Sequence, residues 1–163
     1  MIRMNSRMAD QWPRISLCLA EAELQKSLSD LAASSLVDVM GAVVLQELLG
    51  TERGDPPADD LTGFEASVNK IHISDYVAQP CHGNELLAQG VKYAETLVSR
   101  LTEIGRPFCV FLSRDPDSDE VVAAFHVRRA GAEYLSEDLE GFLLEEIVRW
   151  DLGGEPEIAE CAQ

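Results

Sequence analysis

The chain has 163 residues, 46% of them apolar and only 6% aromatic, and carries 13 Lys and Arg against 29 Asp and Glu for a formal net charge of -16. A chain of this size can bury roughly 68 to 70% of its unfolded surface as one domain with an aliphatic core, and its apolar content excludes intrinsic disorder. Acidity this strong is repelled by phosphate backbones and anionic membrane surfaces, which argues against nucleic-acid and membrane partners.

Residues 1–14 hold three methionines, three arginines and the helix-disfavouring Trp12-Pro13 step, and are expected to form a disordered basic tail. The apolar run Ile15 to Ala20 is too short for a secretory signal core, and Leu17 before Cys18 is too large for a lipoprotein processing site. Leu36 to Leu49, interrupted by Asp38 and Glu47, is too short to span a membrane. A cytoplasmic location is expected. Cys18, Cys81, Cys109 and Cys161 show no C-x-x-C spacing and read as free thiols in a reducing compartment.

Residues 15–152 are expected to form a single α+β domain. Leu17, Leu24, Leu28 and Leu31, then Leu36, Val39, Met40, Val43, Val44 and Leu48, recur at helical spacing. They predict a helical hairpin over 15–50, broken at Ser34-Ser35 and stopped at Gly50. Residues 51–63, with Gly54, Pro56, Pro57 and three aspartates, predict a loop. Alternation between Phe64 and Ile73 predicts a short strand. The clearest element is a long third helix from an Asn84 cap to Ile104, with Leu87, Val91, Ala94, Leu97 and Leu101 on one face and Gly105 as its stop. Phe108 to Leu112 and Val121 to Arg128 then alternate around the Asp115-Pro116-Asp117-Ser118-Asp119 turn, predicting a β-hairpin. A helical turn over 136–140 and a third strand over 146–151 complete the 64–152 part, a helix with a small antiparallel sheet. Residues 153–163 read as an acidic tail.

No nucleotide-binding loop and no serine-hydrolase elbow is present. Asp115, Asp117 and Asp119 are spaced like the opening of a calcium loop, but Glu120 stands where glycine is required and His126 where a bidentate glutamate is required. Cys81-His82-Gly83 lies at the mouth of the long helix, where the helix dipole can activate a thiol, so Cys81, His82 and His126 are the candidate catalytic residues. Neighbours in sequence do not face one another, however, which makes His82 a poor base for Cys81. Cys109 and His126 fall on the two hairpin strands as candidate metal ligands, although no short ligand pair accompanies them. Arg128 and Arg129 are expected on opposite sides of a strand, unable to clamp a phosphate together. No metal or other cofactor is implied.

Residues 133–163 carry ten carboxylates against Arg149 alone. That block favours a non-enzymatic binding or regulatory protein, of the inhibitor, immunity-factor or adaptor kind. Its acidic surface, formed by Glu137, Asp138, Glu140, Glu145, Glu146 and Asp151, would face a basic protein partner. The alternative is a small cysteine-dependent enzyme or redox sensor centred on Cys81; a third possibility is acidic mimicry of nucleic acid.

Overall fold

The computed structural model describes residues 1–50, 54–78 and 81–158. It is an α+β fold, as the sequence predicts. A five-stranded antiparallel sheet carries helices on one face, and a two-stranded sheet abuts its edge. In chain order the elements are β1 (Ile2–Met4), α1 (Ser6–Glu21), α2 (Lys26–Ala33), β2 (Leu36–Val39), β3 (Ala42–Leu45), α3 (Leu61–Val68), β4 (Ile71–His72), α4 (Gly83–Ile104), β5 (Phe108–Asp115), β6 (Glu120–Val127) and β7 (Glu146–Asp151). Short 3-10 turns follow β3, β4 and the segment before Leu139. The large sheet runs β1-β7-β5-β6-β4 and the small one pairs β2 with β3.

The second half of the chain matches the periodicity. β5 and β6 pair from Phe108↔Val127 to Asp115↔Glu120, and β7 adds to the other side of β5. α4 buries Leu87, Val91, Ala94, Leu97 and Leu101 and ends on Gly105, whose φ of 76° is the left-handed stop. Its start differs from the expected Asn84 cap. His82 occupies the cap position without a side-chain bond, and Asp119 from the β5–β6 turn accepts from Gly83 N at 2.6 Å instead. Arg114 Nε holds the same carboxylate at 3.0 Å, so the hairpin tip caps the helix from a distance in sequence.

The first half departs from the periodicity in three places. Residues 1–14 are not a tail: β1 pairs with β7, Ile2↔Trp150 to Met4↔Val148, and α1 begins at Ser6. Asn5 caps that helix by accepting from Met8 N at 3.0 Å, and also accepts from Ile147 N and donates to Glu145 O. The helix runs through Pro13, giving up one backbone bond while burying Met8 and Ile15. The expected second helix of the 15–50 hairpin is instead α2 followed by the β2–β3 hairpin. Its Met40-Gly41 turn has both residues at positive φ, 52° and 90°, as a two-residue hairpin demands. Short apolar runs rich in valine fit either period, and here strand pairing prevails. The expected strand from Phe64 is mostly α3, capped by Asp60 accepting from Gly63 N at 2.8 Å; only Ile71–His72 pairs with β6.

α3 has to be helical because Glu65 and Asn69, four residues apart, must share one face. Both are fully buried and both read strand edges. Glu65 accepts from Val43 N at 2.7 Å and Val127 N at 2.8 Å. Asn69 accepts from Leu45 N and donates to Val43 O and Phe125 O, at 3.0 to 3.2 Å. Arg129 then closes a bidentate pair with Glu65 at 2.8 Å for both contacts and donates to Gly41 O at 2.9 Å. The C-terminal 153–163 stretch is likewise not a free tail in its described part. Glu157 exchanges backbone bonds with Arg128 O and Ala130 N, and its carboxylate takes Arg106 at 2.8 and 3.0 Å. Residues 159–163 lie outside the described residues.

Removing one member of a buried ion pair strands the other, at a cost of about 3 to 5 kcal/mol. Glu65→Ala is therefore expected to lower unfolding free energy by at least that much in urea titration, since it orphans Arg129 and two strand amides. Asp30→Ala, which breaks only the exposed Lys26–Asp30 pair, is expected to cause no measurable change.

Candidate functional site

The two faces of the large sheet differ in kind. Val110, Leu112, Val121, Phe125, Val148 and Trp150 point toward α1 and α4 and join the main core. The pleat turns Cys109, Phe111, Ser113, Val122, Ala124, His126, Ile147 and Arg149 to the other side. Among the described residues no α-helix covers that side; residues 130–145 cross it as a strap whose Leu135, Leu139 and Phe142 pack on Cys109, Phe111, Ala124 and Ile147. Tyr134 stacks on Phe111, centroids 5.7 Å apart, and meets the His126 ring edge-on at 6.1 Å.

On one side of Tyr134 and Leu135 the strap leaves a groove of about 540 Å³. Phe111, Ser113, Val122 and Ile147 form its floor, Phe142 and Leu144 one wall, and Asp115, Asp117, Glu120 and Glu145 its rim, with Lys70 as the cation. Leu143 and Leu144 are each 75% exposed beside it. Asp115 accepts from Asp117 N and Ser118 Oγ, which hold its carboxyl below the usual range. Glu120 pairs with His72 Nδ1 at 2.7 Å.

On the other side lies a cavity of about 100 Å³ lined by His126, Arg128, Arg129, Arg149 and strap residues that include Glu133 and Glu137. Asp151 sits behind it, held by Arg3 and Arg149 at 2.8 Å and Arg128 at 3.6 Å. Burial pushes the Asp151 carboxyl up, but Arg149 and Arg3 outweigh it and the net shift is downward. His126 Nδ1 lies 2.9 Å from Val127 O, and Nε2 is buried without a partner among the described residues. Burial, helped by Arg149 and Arg129, lowers its pKa to about 4.

The acidic residues singled out from the sequence are dispersed. Glu145 lines the groove and Glu137 the cavity. Glu140 accepts from Ser6 N and Ser6 Oγ at 2.8 Å, anchoring the start of α1. Asp138 caps the 3-10 turn by accepting from Glu140 N. Glu146 is buried on the helix side of the sheet with Arg114, and Asp151 is enclosed by arginines. The groove's other carboxylates, Asp115, Asp117 and Glu120, come from the hairpin turn; only their acidity was visible in sequence, since the strap that makes them a rim is distant along the chain.

The cysteine candidates are not brought together with a base. Cys81 is buried in the helix-side core, where burial, Glu85 and Asp119 push its thiol up rather than activating it. His82 is exposed, and His126 stands on the opposite face of the sheet. Cys109 and His126 are directly cross-strand, as expected. Burial raises the Cys109 thiol to about 12. Among the described residues no three His, Cys, Asp or Glu side chains are placed to hold a metal ion. Among the same residues no helix is long and apolar enough to cross a membrane.

Two outcomes follow from these environments. Cys81 and Cys109 are expected to resist alkylation in the native protein near pH 6 and to label on unfolding; mass spectrometry of the labelled peptides reads this, and fast native labelling of Cys81 would revive a thiol-centred activity. His126 is neutral when folded and titrates normally when unfolded, so the unfolded chain binds the extra proton. Its contribution, up to about 3 kcal/mol, is complete above pH 6.5 and lost as pH falls toward 4. Denaturation midpoints across that window should decline less in His126→Phe than in the unaltered chain.

No curated protein and no solved structure matches this chain. Residues 3–153, from β1 through β7, match the model of the uncharacterized protein PM0498 family, and the chain belongs to that family.

Proposed function

We propose that this is a non-enzymatic binding protein whose open sheet face takes a basic segment of a partner protein. The observation that carries the reading is the groove itself: an apolar floor beneath Tyr134 and Phe142, ringed by Asp115, Asp117, Glu120 and Glu145. An apolar side chain would lie over the floor against Val122, Phe142 and Leu144, while flanking lysines or arginines meet the rim. Burial supplies affinity, and the rim charges steer approach and select sign. Leu143 and Leu144, exposed beside the groove, extend the apolar contact. The acidic surface of this reading is narrower than the whole 133–163 block, and it draws three of its four carboxylates from the hairpin turn.

The reading is tested with a short peptide in which leucine or phenylalanine is flanked by arginines, and with its glutamate-flanked counterpart. Amide shifts are expected at Phe111, Ser113, Val122 and Ile147 with the basic peptide only. Reversing Asp117 and Glu145 to lysine removes two rim charges worth about 1 kcal/mol each at most, for a loss of affinity of up to roughly thirtyfold and a flatter salt dependence. These positions are chosen because Glu140 and Asp119 are structural caps. Equal binding of both peptides, or shifts confined to another surface, overturns the reading.

A further inference from the structure

β2 is the outermost strand of the small sheet, and antiparallel alternation fixes which of its backbone groups are used. Ser35 O accepts from Gln46 N at 2.8 Å, so the register turns Val37 and Val39 toward β3 and Leu36 and Asp38 away from it. The facing strand agrees. Val43 and Leu45, the register partners of Asp38 and Leu36, send their N–H groups outward to Glu65 and Asn69 of α3 at 2.7 and 3.0 Å. Leu36 and Asp38 therefore each present an N–H and a C=O along the free side of β2. Among the described residues none of these groups makes a hydrogen bond.

The fold treats other edges differently. Glu65 and Asn69 close the outer edge of β3 and the edge of β6 at Phe125 and Val127. Asn5 does the same at the start of β7, accepting from Ile147 N and donating to Glu145 O. Edges are also blunted by lysine, proline or a bulge, and Leu36-Val37-Asp38-Val39 has none of these. Its single charge, Asp38, accepts from Gly41 N at 2.7 Å and so holds the hairpin turn. An edge left open in this way takes another extended strand, because a strand matches N–H and C=O groups alternating at this spacing. A third strand also reinforces a two-stranded hairpin, which is marginal by itself.

We propose that β2 is a strand-addition site for an extended basic segment of a partner protein, bound antiparallel. Hydrogen-bonded pairs form across from Leu36 and across from Asp38, each exchanging two N–H···O bonds. The charge of the occupant follows from Asp38, whose side chain is 58% exposed on this edge. Its one ion-pair contact among the described residues is Arg106 Nη1 at 3.5 Å, while Arg106 gives Nε and Nη2 to Glu157 at 2.8 and 3.0 Å. A lysine or arginine across from Asp38 satisfies that carboxylate, and apolar residues across from Leu36 and Val37 cover two half-buried side chains. A second copy of this chain fits less well. Two-fold pairing about Val37 sets Asp38 against a leucine rather than a cation, and a net charge of -16 on each chain opposes the approach. The inference is independent of the groove on the open sheet face.

The test uses the full chain and a capped peptide, Val-Lys-Val-Val-Thr, whose lysine falls across from Asp38. Amide hydrogen exchange reads the edge without any variant. The Leu36 and Asp38 amides are expected to exchange fast in the free protein and to slow by about tenfold or more at saturation, while those of Val37 and Val39, already directed at β3, change little. N-methylation at the peptide's second or fourth residue, whose N–H groups point at β2, should abolish binding; at the third, whose N–H points away, it should be tolerated. Replacing the lysine with glutamate should weaken binding about fivefold at low salt. Phe111, Ser113, Val122 and Ile147 should stay unshifted, which separates this site from the groove. Unprotected Leu36 and Asp38 amides, binding that survives N-methylation of the facing residues, or equal binding of the glutamate peptide overturns the proposal. Protection that rises with protein concentration in the absence of peptide assigns the edge to a second copy and overturns it as well.

Discussion

The carboxylate of Glu65 is the point on which the two sheets depend. It is wholly buried and receives four N–H groups, from Val43, Val127 and both Nη atoms of Arg129. Burying a charge costs several kcal/mol unless its lone pairs are filled, and here each oxygen takes one backbone amide and one guanidinium nitrogen. The same face of α3 carries Asn69, which fills the next rung of β3 and of β6. The edge of β6 beyond the two residues paired with β4 is thereby covered by a helix and a small hairpin instead of being left open.

That anchor also shapes the opposite face. By drawing Arg129 toward α3 it takes the chain out of β6 directly after Val127, and the segment that follows crosses the sheet as the strap rather than continuing as strand. Tyr134 and Leu135 divide the covered face into an acidic-rimmed groove and an arginine-lined cavity. Two recesses of different lining therefore share one wall, and the packing of Tyr134 on Phe111 and His126 belongs to both.

The charge balance has a related consequence. Arg3, Arg106, Arg114, Arg128, Arg129 and Arg149 are all engaged in ion pairs with carboxylates of the fold. Cations that would otherwise temper the surface are spent inside or at its margins, and the outward field is set by the remaining acids. An excess of carboxylates in the sequence thus becomes a localised rim where side chains such as Asp117 and Glu145 make no ion pair among the described residues, and disappears where they serve as caps, as at Glu140 and Asp119.

The sequence by itself determined the elements whose partners lie close along the chain. α4, with its apolar stripe and Gly105 stop, and the β5–β6 hairpin, with its alternation and Asp-rich turn, are specified by local periodicity, and both stand as read except at the start of α4, where Asp119 rather than Asn84 supplies the cap. The α+β class and the third strand over 146–151 follow from the same signals. Tertiary structure decided everything that rests on distant contacts: β1 is a strand only because β7 offers it an edge, and Asn5 caps α1 only while tied to Glu145 and Ile147. Residues 36–45 satisfy helix and strand spacing alike, and α3 with β6 tips them into a hairpin. The sites were less legible still, because their lining joins residues from β5, β6, β7 and the strap. Acidity near 115–120 and 145, the pair Arg128-Arg129 and the lone His126 are all visible in the sequence, but a pleat and a crossing loop are needed to place them around a groove and a cavity.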